Sequence, residues 1–342
     1  MPIPTDNPHI TFFQAITIGV MQGVTELFPV SSLGHSVLVP ALIGGSWKTL
    51  VSQEHAKESP YLAFIVGLHV ATALALLLFF WRDWVRLIRG FLASLPRLAR
   101  RLLRQPVEGP ALQTVHEKMA WLIIVATIPA GVIGLALEHV FRTLFAKPLA
   151  AAIFLTINAG ILFAGEKLRR VSKERAASGL AASGSVAAVD VRGDDTDDPA
   201  YDAVSDPEHD PANDVEITRR FTFRDAVVVG VFQSLALLAG ISRSGITMVA
   251  GLIRGLDHEQ AVRFGFLLAT PVIFAAGVIK IPDLVGPLGD GIRGQVLAGS
   301  AAAFIAAIVT IKFLVRWFRT RTLTPFAWYC GIFGVVCIVR FA

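Results

Sequence analysis

Pro29-Val30-Ser31-Ser32-Leu33-Gly34-His35 breaks an apolar run over about residues 10–43, and Gly240-Ile241-Ser242-Arg243-Ser244-Gly245 breaks a second run over about residues 222–255. Each break leaves arms of about 12 to 15 residues, which at ~1.5 Å rise reach roughly 18 to 22 Å into a hydrocarbon core ~30 Å thick. That passes the midplane and stops short of the far side. Each run therefore reads as a re-entrant helical hairpin with a polar tip held at depth.

The two broken runs are copies of one another at an offset of 211 residues. Between Thr11–Gln22 and Thr222–Gln233 the identities are Thr11/Thr222, Phe12/Phe223, Ala15/Ala226, Gly19/Gly230, Val20/Val231 and Gln22/Gln233, and the register continues to pair Ser31 with Ser242 and Gly34 with Gly245. Six further apolar segments, about 60–81, 119–140, 148–166, 262–282, 293–315 and 324–341, are long enough to cross. Each half is then one hairpin followed by three spans, and an odd number of crossings turns the second copy upside down, so that the two tips meet near the midplane. The expected fold is an all-α integral membrane protein, an inverted-topology repeat of six transmembrane helices plus two re-entrant helical hairpins. Its parts are a first repeat over residues 1–170, a connecting stretch over 171–217 and a second repeat over 218–342.

Composition agrees with a bilayer protein. The 342 residues are 54% hydrophobic and only 17% charged, with a mean hydropathy of +0.61, which is too apolar for a soluble domain of this size. The stretch Met1–Phe13 has no basic residue ahead of its apolar segment and no small-residue cleavage site, so it is not read as a signal peptide. Cys330 and Cys337 lie seven residues apart on one side of the last apolar run and read as small packing residues, not as a redox or zinc site. The net charge of +5 does not indicate nucleic acid, because the basic residues gather where spans end. Those loops set the orientation: Arg82–Arg104 carries seven arginines and one aspartate, Lys167, Arg169, Arg170, Lys173 and Arg175 follow the third span, and Arg316, Arg319 and Arg321 follow the fifth. All belong on the cytoplasmic side. Both termini then fall outside, the first hairpin enters from outside and the second from the cytoplasm.

Residues 171–217 are rich in Ala, Ser and Gly and then acidic from Asp190 to Glu216, which reads as a disordered cytoplasmic linker. Its run Gly193-Asp194-Asp195-Thr196-Asp197-Asp198 lacks the ordered ligand spacing of a calcium loop.

The chemistry sits at the tips. Gln22 and Glu26 are four apart and share one helix face just ahead of Ser31, Ser32 and His35. A carboxylate at membrane depth is kept for function or for a partner. The second tip offers Ser242, Ser244 and Thr247 around Arg243, with glycines at 240 and 245. Glycine admits close backbone approach, the following helix turns its N-terminal N–H groups toward the tip, and the guanidinium fork matches phosphate oxygens. Together they form an anion cradle of Ser242, Arg243, Ser244, Gly245 and Thr247. His69, within the first span, is expected to pack or to hydrogen-bond between helices, and Asp225 to cap or pair at the start of the second hairpin.

The stretches Gln22-Gly23-Val24-Thr25-Glu26-Leu27-Phe28-Pro29-Val30-Ser31-Ser32-Leu33-Gly34-His35 and Gly240-Ile241-Ser242-Arg243-Ser244-Gly245-Ile246-Thr247 resemble the two signature motifs of the undecaprenyl pyrophosphate phosphatase family, also called bacitracin-resistance proteins. The likeness covers nearly the whole chain outside the linker. Two departures are Ala239, where the family usually has proline, and the long acidic linker. The resemblance implies a hydrolase, dependent on a divalent cation (Mg²⁺ or Ca²⁺), that removes the terminal phosphate of undecaprenyl pyrophosphate in the bacterial plasma membrane. Its partners are then the polyprenyl pyrophosphate lipid and the bilayer. It further implies Glu26, His35, Ser32 and Arg243 as catalytic residues, adds Ser31 of the first tip to the anion cradle, and implies Gln22 and Glu26 at the metal and a site facing outside. Either His35 or Ser32 can be the nucleophile, and assembly as a homodimer stays open. The competing reading is a transporter or flippase of a polyprenyl phosphate lipid, which shares the layout of inverted repeats with broken helices.

Overall fold

Thr11 and Thr222, repeat-related in sequence, do the same local work. Each is the N-cap of a helix whose third residue, Gln14 or Asp225, returns its side chain to the cap, so both hairpins open on a capping box. The computed structural model describes residues 10–52, 60–107, 109–144, 147–183, 211–286 and 290–342. Among them the chain forms thirteen α-helices and no strand: α1 (Phe12–Thr25), α2 (Ser32–Ile43), α3 (Gly45–Ser52), α4 (Pro60–Phe79), α5 (Trp81–Leu102), α6 (Val115–Leu144), α7 (Pro148–Ser183), α8 (Pro211–Arg220), α9 (Phe223–Ser234), α10 (Arg243–Ile253), α11 (His258–Val285), α12 (Arg293–Thr320) and α13 (Thr324–Phe341). Four helical stretches, Val115–Ala136, Pro148–Val171, Arg293–Thr320 and Thr324–Phe341, are long and apolar enough to cross a membrane. Helices α4 and α11 occupy the other two expected spans. Ile128, Val132, Leu135, Leu297, Ile305, Val309, Ile332 and Val339 all stand exposed on these helices. An apolar surface of that extent belongs against lipid, and the protein is a multi-pass membrane protein.

The hairpins are α1–α2 and α9–α10, and the two ends of each are pinned together. In the first, Gln14 Nε2 donates to Ser46 Oγ at 3.3 Å and Phe13 packs edge-on against Trp47. In the second, Arg254 Nε donates to Asp225 Oδ1 at 2.5 Å and Arg220 Nη1 to the Gly255 carbonyl at 2.8 Å. Each chain segment thus goes in and comes back at one place. The first arm of each hairpin lies on the second long span of the other half: α1 on α12, α9 on α6. A Cβ at Gly19 would fall on the carbonyl oxygen of Gly299, and one at the repeat-related Gly230 on that of Ala126. Small residues let these backbones touch.

Two expectations need correction. The arginine-rich stretch 82–104, read as a loop, is almost entirely helical: α5 turns 82° away from Phe64–Phe79. Trp81, Val85, Ile88, Leu92 and Leu95 recur along it at helical spacing and are exposed between the arginines, the pattern of a helix lying in the membrane interface. The stretch 171–217 is not all linker either. Helix α7 runs on to Ser183, and α8 begins at Pro211. There Arg263 of α11 holds Asp214 (Nε to Oδ1, 2.7 Å) and Asp83 of α5 (Nη2 to Oδ1, 2.9 Å) in a buried network. Asp214 thus docks α8, though by composition it belongs to an acidic tether. The body of that tether, residues 184–210, lies outside the described residues.

Candidate active site

Pro29, which has no N–H to continue a helix, lies in the turn after α1. That turn, residues 26–30, leads to Ser31. Ser31 sits at φ 70°, ψ 102°, a strained conformation for a residue with a side chain. Its hydroxyl accepts from Gly34 N at 3.2 Å as the N-cap of α2 and from Gly240 N of the other tip at 3.1 Å. Ser242, its repeat mate, caps α10 by accepting from Gly245 N at 3.1 Å. Gly240 has φ 112°, and a Cβ there would collide with the Ala151 carbonyl oxygen. Asn158 of α7 joins the two tips: its Nδ2 donates to Pro29 O at 3.1 Å and its Oδ1 accepts from Ser242 N at 3.0 Å. Ser244 Oγ donates to Phe28 O at 3.0 Å, and Thr247 Oγ1 to its own helix at Arg243 O, 2.9 Å away.

The N-termini of α2 and α10 therefore converge on one cavity of about 300 Å³, lined among others by Glu26, Ser31, Ser32, His69, Ser242 and Arg243. Glu26 is its hub. Oε2 accepts from Gln22 Nε2 at 3.0 Å and, in a short hydrogen bond, from Ser32 Oγ. Oε1 pairs with Arg243 Nη2 of the other tip. His69 Nε2 stands 3.5 Å from Oε2, while its Nδ1 is 2.9 Å from the Ile65 carbonyl. A carbonyl only accepts, so Nδ1 carries a proton and Nε2 is the nitrogen left facing Glu26.

Of the residues singled out in the sequence, the fold brings Gln22, Glu26, Ser31, Ser32, Ser242 and Arg243 together. His35 is elsewhere: its Nε2 is 2.7 Å from Tyr329 Oη, its Nδ1 is 2.7 Å from Ser31 O, and its ring stacks on Tyr329 and Phe333 of α13. Ser244, Gly245 and Thr247 support the tip from behind and do not line the cavity. Sequence reasoning set His69 aside, although an ionisable group inside a span is itself a signal of function. It passed over Asn158, for which no signal was visible.

A divalent cation fits the donors present. Among the described residues no group of three or more His, Cys, Asp or Glu side chains is placed to hold a metal by itself. The Glu26 carboxylate and the Ser32 hydroxyl are hard oxygen donors at the cavity, and Gln22, whose Nε2 faces Glu26, would add its amide oxygen once the amide turned over. They suit an ion that draws its remaining ligands from water and from phosphate groups.

Comparison with known proteins bears on this site. The profile of the family described as "Bacitracin resistance protein BacA" matches residues 15–336. The chain belongs to that family. The BacA match takes in both tips and every residue of the cavity. Among its relatives, the undecaprenyl-diphosphatase 2 of Frankia alni is 56% identical over 98% of this chain and 99% of its own length. The undecaprenyl-diphosphatase of Mycolicibacterium paratuberculosis is 53% identical over 98% of each, and that of Acidiphilium cryptum 38% identical over 95% of this chain and 96% of its own.

Proposed function

We propose that this protein hydrolyses undecaprenyl pyrophosphate to undecaprenyl phosphate and inorganic phosphate, working inside a bacterial plasma membrane. The observation that carries the reading is Ser32 hydrogen-bonded to Glu26, with Glu26 paired to Arg243 across the two tips, in a chain of the BacA family. A carrier would need the anion cradle but not a hydroxyl held against a carboxylate.

In this reading Glu26 takes the Ser32 proton as Oγ attacks the terminal phosphorus. The Oγ–P bond forms, the bridging P–O bond breaks, and the lipid monophosphate leaves. Water then attacks the phosphoserine and gives a proton to His69 Nε2; the Oγ–P bond breaks, inorganic phosphate is released, and Ser32 takes back its proton from Glu26. Arg243 and the α2 and α10 N-termini supply positive charge where the equatorial oxygens gain negative charge. Glu26 with Ser32 and Gln22 would hold a divalent cation, which would supply further charge neutralisation. Because each buried CH₂ is worth ~0.8 kcal/mol, the polyprenyl chain stays in the bilayer. A nearly all-apolar groove of about 520 Å³ between α5, α6 and α11 reaches Gly131 and Pro271. Those residues are next in sequence to Ala130 and Val272 of the catalytic cavity, so the groove offers the tail a path.

The cytoplasmic placement of the arginine-rich ends is supported by their lying together. Arg169, Arg319 and Arg321 line one pocket, and Arg263 joins α5 and α8 beside it in the fold. Purified protein in detergent should release phosphate from undecaprenyl pyrophosphate with a divalent ion present. Absence of release from folded protein would overturn the proposal.

A further inference from the structure

We propose that Gln233 is a direct ligand of the pyrophosphate, its Nε2 donating to a phosphate oxygen. The assignment rests on the hydrolase reading and extends it to a residue with no role so far. Gln233 lines the same cavity as Glu26, Ser32 and Arg243 and is 3% exposed. Neither its Nε2 nor its Oε1 has a hydrogen-bond partner among the described residues. A buried primary amide with every hydrogen bond unmade is costly, and such a group persists where something that binds completes it.

The internal repeat explains how the amide came to be free. Gln22 occupies the matching position in the first half, and its Nε2 is spent on Glu26, one turn further along, at 3.0 Å. The residue one turn after Gln233 is Leu237, which also lines the cavity and accepts nothing. The same helical spacing that fastens the amide in one half releases it in the other.

What completes Gln233 must present acceptors to its N–H pair and bring a donor, such as a water of the anion's hydration shell, to its Oε1, in a space already furnished with Arg243 and two helix N-termini. An anion with several oxygens does so, and the pyrophosphate group spans enough of them to reach Arg243 and Gln233 together. The two halves then divide the work: the first supplies the base and nucleophile, the second the arginine and the amide.

The test uses Gln233→Leu and Gln233→Glu in the full chain, purified in detergent. Three quantities are measured: KM and kcat for undecaprenyl pyrophosphate, affinity for inorganic pyrophosphate by calorimetry, and thermal unfolding. Losing a hydrogen bond to a charged group should raise KM and weaken pyrophosphate binding by about ten- to a hundredfold in Gln233→Leu. Its unfolding temperature should hold or rise, because the variant removes an unsatisfied amide from the interior. Gln233→Glu should bind pyrophosphate more weakly still, by charge repulsion. Unchanged KM and pyrophosphate affinity in Gln233→Leu overturns the assignment. So does a lowered unfolding temperature with unaltered pyrophosphate affinity, the mark of a purely structural amide. A parent that binds pyrophosphate yet hydrolyses no lipid would sink the hydrolase reading, and Gln233 would then stand or fall on the calorimetry alone.

Discussion

Glu26 makes four interactions at once, with Gln22, Ser32, Arg243 and His69, and each suggests a substitution. Glu26→Gln keeps the shape but removes the acceptor for the Ser32 proton and the counter-charge of a buried arginine. Phosphate release should fall by at least about 10² to 10³, the scale of losing one preorganised charge contact, with a lowered unfolding temperature. Gln22→Glu places a second carboxylate beside the first, a better seat for a divalent ion. It should stay active and show steeper dependence on added Mg²⁺ or Ca²⁺, whereas an inactive, folded Gln22→Glu would argue against a metal there. Arg243→Lys retains charge but loses the planar fork, and its turnover should drop by about 10² or more; near-normal turnover would reduce Arg243 to a counter-ion for Glu26. The two histidines separate cleanly. His69→Gln should depress kcat more than KM and flatten the pH–rate profile, while His35→Phe, which keeps the stack on Tyr329 and Phe333, should cost far less turnover. The reverse ranking would mean that His35 moves into the cavity during the reaction. Glu26, Ser32 and Arg243 were legible in the sequence because polar groups at membrane depth stand out against apolar neighbours. His69 carried the same signal of an ionisable group at depth, but its partner Glu26 lies on another helix, so nothing near it in sequence tied it to the site.

At the level of elements, the repeat was legible as identities, and the structure gives several of them a purpose. Gly19 and Gly230 mark where an arm of one half rests on a span of the other. Gly19→Leu should unfold the protein or lower its unfolding temperature sharply by overpacking that seam, and Gly230→Leu should do likewise. A harmless Gly19→Leu would show that α1 does not pack on α12 in the membrane. What pattern reading could not give was α5. Its arginines announced a cytoplasmic location, but the apolar residues between them emerged as one stripe only when wound onto a helix. Nor could it give α8, where a single aspartate docked by Arg263 outweighs a polar composition.

For the whole molecule, the candidate site draws on both halves, and the acidic connection between them is expected to add nothing to it. Deleting residues 185–209, which spares α7 and α8, should leave detergent activity within a few-fold of the parent; complete loss in a folded, inserted protein would show that the acidic tether takes part. The structural feature with the widest consequence is Asn158, whose one side chain grips Pro29 of the first tip and Ser242 of the second. During synthesis the ribosome delivers Glu26, Ser32, His69 and Asn158 well before Arg243. The cavity between the two tips is therefore assembled only once the second half has been inserted.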